Sequence, residues 1–148
     1  MATTDTATDE RLIRQLIDEW AKALRSKDID AVMAAYTPDF VAFDLAPPLQ
    51  VRGTEAHRKG FEAWFPTFDG PIGHETHQLS ITVGENVAFS HCLNRITGQR
   101  TNGEHTDVWV RATVGFRKIS GRWLVAHEHV SVPFYMDGSD KAAVDLKP

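Results

Sequence analysis

A chain of 148 residues with 42% hydrophobic content is long enough to fill one core and short for two, so a single domain is expected. Its net charge of -4 and pI of about 5.9 offer no basic surface to nucleic acid or anionic lipid, which excludes both as expected partners. One cysteine, Cys92, allows no internal disulfide, and no apolar run has the length of a membrane span or signal-peptide core, so the expected setting is cytoplasmic and reducing.

Residues 1–8 are small and polar, with no periodic apolar position, and are expected to form a flexible tail. From about Asp9 the apolar positions Leu12, Ile13, Leu16, Ile17, Trp20 and Leu24 recur at helical spacing, with Thr6 or Thr8 available as N-cap. A shorter helix follows: Asp28 caps it, Ile29, Val32, Met33 and Tyr36 form its inner face, and Pro38 ends it. The period then changes. Phe40 to Phe43 reads as a strand, Asp44 and the Pro47, Pro48 pair as a bent connection, and Leu49 to Gly53 as a short strand. A third helix begins after Arg52 to Thr54, carries Phe61, Trp64, Phe65 and Phe68 on one face, and breaks at Pro66.

Beyond a turn at Gly70 to Gly73, four strand-like runs remain, at 74–83, 87–97, 105–118 and 122–133. The stretches GEN, GQRTNG and SG between them are turn signals suited to antiparallel hairpins. The order defines an α+β fold in which three N-terminal helices cover one face of a curved, mainly antiparallel sheet. Residues 9–136 form that domain, and 137–148 read as a polar tail. Three helices cover one sheet face only, so a homodimer is expected through the other.

The stretches SKDIDAVMAAYTPDFVAFDLAPPLQVRG, VWVRATVGFRK and SGRWLVAHEHVS, together with this element order, resemble the NTF2-like superfamily. The resemblance is to its SnoaL-like and ketosteroid-isomerase-related branches, and it covers nearly the whole chain. It implies a cone-shaped domain whose cavity takes a small apolar or carbonyl-bearing ligand, with isomerase- or cyclase-like proton-transfer chemistry and no cofactor. A non-catalytic binding or assembly domain of the same fold is the alternative, because fold alone does not fix function. The aspartate base of the ketosteroid isomerases falls on Asp44. Their oxyanion tyrosine falls on Trp20 and their proton-donating acid near Thr113, two departures that argue against steroid isomerisation itself.

Asp44 follows Val41, Ala42 and Phe43, so apolar neighbours would desolvate its carboxylate and favour a general base; otherwise it tightens the turn into the prolines. On the third long strand Trp109, Arg111 and Thr113 alternate with Val110, Ala112 and Val114, and either set fits the interior. The resemblance favours the first set, with Arg111 binding an enolate oxygen or pairing with Asp44. On the last strand, alternation puts His127 and His129 on one face and Glu128 on the other. One histidine, His129 first, would then serve as acid/base partner to Asp44, with Arg111 completing the catalytic set. Trp20, Phe61, Trp64, His91, Trp109 and His127 are the candidate ligand-binding residues. Two imidazoles two residues apart are half a metal site, and without a fixed third ligand no metal is expected. No GxGxxG, P-loop or GxSxG occurs.

Overall fold

The computed structural model describes residues 6–148; residues 1–5 of the expected tail lie outside the described residues. Helix α1 runs over Thr6–Arg25, so residues 6–8 are helical and not tail. Its apolar stripe buries Ile13 and Leu24 against the sheet and turns Leu16, Ile17 and Trp20 towards it, while Arg14 pairs with Glu10 on the outside. Helix α2 (Ile29–Met33) is held at its start by the Asp28 carboxylate, which accepts from the Ala31 N–H at 3.1 Å.

Strand β1 (Tyr36–Phe43) begins earlier than the sequence suggests. Tyr36 belongs to it and not to α2, and Pro38 lies inside it, within the gap where the pairing register shifts between Tyr36 and Val41. Proline has no N–H to give to a ladder, which suits that break. Strand β2 (Val51–Arg52) follows the proline connection, and α3 (Thr54–Trp64) ends in a tight turn at Phe65–Thr67.

The four long strands are β3 (Gly73–Val83), β4 (Val87–Gln99), β5 (His105–Ile119) and β6 (Arg122–Ser131). The sheet order is β2-β1-β6-β5-β4-β3, with β1 parallel to β6 and every other neighbour antiparallel. Ser120 and Gly121 both take positive φ, 50° and 78°, at the two-residue turn joining β5 to β6, the combination that matches strand twist in tight hairpins.

Phe40, Phe116, Ile13, Leu24, Ile72 and Val32 are fully buried where α1 and α3 meet the sheet. Each such side chain contributes about 1.5–3 kcal/mol by leaving water. A polar anchor lies beside this core: Asp9 accepts from the Trp123 indole at 3.0 Å and from Lys118 Nζ at 3.1 Å, tying α1 to β5 and β6. The stretch expected as a polar tail folds back on itself. Phe134 bridges to Ala142, Tyr135 donates to Asp145, and Ala143 is buried, because the Ala143 N–H finds the Pro133 carbonyl at 2.7 Å. No helix among the described residues is long and apolar enough to cross a membrane.

Candidate functional site

Helices α1 and α3 do not close completely onto the concave sheet face, and between them lies a cavity of about 360 Å³. Its mouth is rimmed by Asp44, Leu45, Ala46 and Pro47. That volume is at the lower end of the roughly 300–1,000 Å³ typical of small-molecule pockets.

The parity left open on β5 resolves in favour of the apolar set: Val110, Ala112, Val114 and Phe116 line the cavity. Arg111, which the resemblance places inside, is exposed on the opposite face, where Nε donates to Ser131 Oγ at 3.2 Å. Burying a guanidinium among these valines would cost more than any gain without a carboxylate partner. Trp109 also faces outward, beside the His77 ring at 4.9 Å, and His91 is exposed on the same side.

On β6 simple alternation fails. Gly115 pairs with His127 and Phe116 with Val125, so Ala126 and His127 together oppose Gly115 as a β-bulge. The extra residue exchanges the two faces beyond it. Trp123 and Val125 point inward before the bulge and Glu128 and Val130 after it, while His127 and His129 stand on the outer face. There Phe43 packs edge-on against both rings at 4.8 and 5.4 Å, and His127 Nδ1 donates to the Val41 carbonyl at 2.6 Å. Neither histidine can serve Asp44 across the cavity, and no group of three or more His, Cys, Asp or Glu able to hold a metal converges among the described residues.

Glu128, which alternation sets on the face opposite the two histidines, is the acidic group the bulge turns into the cavity. Its Oε1 lies 3.4 Å from His57 Nε2, a contact without hydrogen-bond geometry, and that nitrogen has no other partner. The two side chains retain 15% and 5% of their exposure. His57 arrives there because it starts the α3 stripe one turn before Phe61; its ring lies edge-on to Tyr36 at 4.7 Å and to Phe61 at 4.8 Å.

Tyr36 completes the cluster. Its hydroxyl oxygen accepts from Trp20 Nε1 at 2.7 Å, which leaves its own O–H free to donate. Burial, and secondarily the negative charge of Glu128, hold the phenol well above its ordinary pKa, so it stays protonated at neutral pH. Asp44 is different: it is exposed at the mouth and its Oδ1 accepts the Leu45 N–H at 2.7 Å, tightening the turn. The desolvating surroundings expected for it are absent.

Facing this cluster across the β5 wall, β3 and β4 present His74, Thr76, Ser90, Cys92 and Asn94 to the cavity. Burial, reinforced by the nearby Arg25 charge, takes the His74 imidazole down to about 4, so it is neutral. Burial pushes the Cys92 thiol up to about 11, and its Sγ donates to Asn94 Oδ1 at 3.3 Å, which is no setting for a nucleophile.

Of the residues singled out in the sequence, Trp20, Asp44, Phe61 and Trp64 border the cavity, whereas Arg111, His129, His91, Trp109 and His127 do not. His57, Tyr36 and Glu128 are the polar groups that sequence reasoning passed over. A signal for His57 exists, since it lies four residues before Phe61 on the aromatic stripe.

A cone of three helices over a curved six-stranded sheet, with an apolar cavity and a few buried polar groups in its wall, is the architecture of the NTF2-like superfamily. The chain belongs to the SnoaL-like domain family, which matches residues 13–135. It is 39% identical to an NTF2-like protein of unknown function from Pseudomonas putida KT2440, with a TM-score of 0.87 over 97% of this chain and 99% of that one. A candidate scytalone dehydratase from Novosphingobium aromaticivorans shares the fold at 16% identity, with a TM-score of 0.81 over 98% and 99% of the two chains. So does an NTF2-like superfamily protein from Salmonella enterica at 20% identity, with a TM-score of 0.78 over 91% and 98%. No curated protein matches the chain in sequence.

Proposed function

We propose that the cone binds a small, largely apolar, carbonyl-bearing molecule and catalyses proton transfer on it without a cofactor. The observation that carries this reading is the His57–Glu128 contact of 3.4 Å at the wall of an apolar cavity, beside a protonated Tyr36. In this scheme His57, oriented by Glu128, takes a proton from the carbon next to the carbonyl, and the electron pair moves onto the carbonyl oxygen. The Tyr36 O–H, polarised by the Trp20 N–H on its oxygen, stabilises the charge that develops there. Returning the proton to another carbon is an isomerisation. Giving it instead to a β-hydroxyl that leaves as water is a dehydration, the reaction in the name of the Novosphingobium relative, whose likeness at 16% identity supports the fold alone.

The direct test is deuterium exchange. Wild-type protein in D₂O should accelerate loss of the α-proton signals of 2-tetralone, followed by NMR. His57→Ala and Glu128→Gln should each slow that exchange by about 10²–10⁴-fold, the usual worth of a positioned acid/base. Exchange no faster than in buffer, or undiminished in both variants, sinks the proton-transfer reading; ligand binding without exchange favours a binding protein.

We also propose that the outer sheet face pairs two copies of the chain. Phe43 at 38% and Phe89 at 49% exposure leave apolar rings in solvent on that face, which a second copy would cover.

A further inference from the structure

The inner sheet face is polar at both margins and apolar between them. Glu128 on β6 and Tyr36 on β1 occupy one margin, and the Val110, Ala112 and Val114 stripe of β5 fills the middle. At the other margin stand Asn94 on β4 and His74 and Thr76 on β3, with Thr76 and Asn94 directly opposed in register. Strands β6 and β4 flank β5 and run about 10 Å apart at the backbone, with Glu128 level with Ser90 on β4.

The second margin has hydrogen-bonding capacity that the protein leaves unused. His74 lines the cavity with 5% of its surface exposed, yet its Nδ1 has no partner. A buried polar atom without a partner is destabilising, so an unmet group at a cavity wall is a place where a ligand atom gains. The Asn94 carbonyl is occupied by the Cys92 thiol, which leaves the amide N–H groups as its unused donors. Trp20 joins the margins at the cavity's end: its N–H is spent on Tyr36, and its ring meets His74 edge-on at 5.3 Å.

We propose that His74 and Asn94 form a second oxygen-binding subsite, and that the ligand is a compact one- or two-ring compound carrying oxygen at both ends. One oxygen lies at Tyr36 and His57, and the other, a neutral hydroxyl or carbonyl, lies at His74 and Asn94. This rests on the reading of the cone as a small-molecule pocket, and it is independent of whether His57 moves a proton. A neutral imidazole and an amide suit a neutral oxygen group, while a carboxylate there would have no cation to meet it, since the Arg25 guanidinium is held outside by the His74 carbonyl at 3.1 Å.

The experiment compares 2-naphthol with 2,6-naphthalenediol by quenching of tryptophan fluorescence, Trp20 and Trp64 being at the wall. The wild type should bind the diol roughly three- to tenfold more tightly, the worth of one good hydrogen bond. In His74→Phe that ratio should fall to about one, and in His74→Gln, which restores a donor and an acceptor, part of it should return. The His74 ring nitrogens should shift in ¹⁵N spectra on adding the diol and not on adding 2-naphthol. Equal affinity for both compounds in the wild type overturns the subsite and leaves the pocket intact. Failure of both to bind overturns the pocket reading and the subsite together. Should His74→Phe fail to fold, the His74→Gln ratio and the ¹⁵N shifts decide: loss of the diol preference in Gln with no shift in the wild type overturns the proposal.

Discussion

The Asp9 carboxylate and the Trp123 indole N–H, 114 residues apart in the chain, meet at 3.0 Å and fasten the first helix to the last strand. Lys118 Nζ at 3.1 Å completes the anchor, and these donors hold the carboxylate below its usual range, the indole bond contributing most. Asp9→Ala strands a buried N–H and an ammonium group. It should cost about 2–3 kcal/mol in urea unfolding, while Asp18→Ala on the exposed side of the same helix should cost under about 0.5 kcal/mol.

Asp44 and Glu128 give opposite expectations for the same substitution. Asp44→Asn alters an exposed group engaged with its own turn and should slow 2-tetralone exchange by less than about tenfold, whereas Glu128→Gln removes the charge that orients His57 and should slow it at least about 100-fold. Equal losses from both variants would return Asp44 to the mechanism.

Acid should weaken the fold through His74 before it does so through Asp9. The native imidazole titrates at about 4, against roughly 6.5 in the unfolded chain, so between those values the unfolded state binds a proton that the native state does not. Stability therefore falls as pH drops through that window, by roughly 3 kcal/mol in all. Asp9, whose native carboxyl is depressed, loses its contribution only below the ordinary carboxylate range. Urea midpoints for wild type and His74→Phe at pH about 7 and about 4.5 check this: the variant should show a clearly smaller drop.

The outer face carries its own test. Phe89 sits opposite Gly115, which in turn pairs with His127, so a charge at position 89 falls in the middle of that surface. Phe89→Asp should leave fluorescence titration of the cavity unaltered and convert a dimer to a monomer in light scattering. A monomeric wild type at high concentration removes the proposal.

Element types and order were legible because they depend on period and punctuation. Leu12 to Leu24 recurs at helical spacing, and GEN and SG mark turns where the chain indeed turns. The interior was less legible. Trp109/Arg111/Thr113 and Val110/Ala112/Val114 are equally good strand faces, and only packing against α1 and α3 decides between them. His127 and His129 lie outside because of a bulge that leaves no local mark in the sequence: Ala126 is neither glycine nor otherwise unusual. Tyr36 continues the spacing of α2, and the pull of β6 that makes it a strand residue is a tertiary effect; Val125 N–H donates to Ala35 O at 2.7 Å just before it.

The unpaired residue at Ala126 works as a phase shift written into the chain. Before it, Trp123 meets the anchor at Asp9 and Val125 faces the cavity; after it, Glu128 and Val130 face the same cavity. Carried on from Trp123 and Val125 by plain alternation, the strand would bring the two imidazoles in and send the carboxylate to solvent; the one extra residue reverses that. In a cone of this kind, the length of a strand can rewrite a site as thoroughly as its letters do.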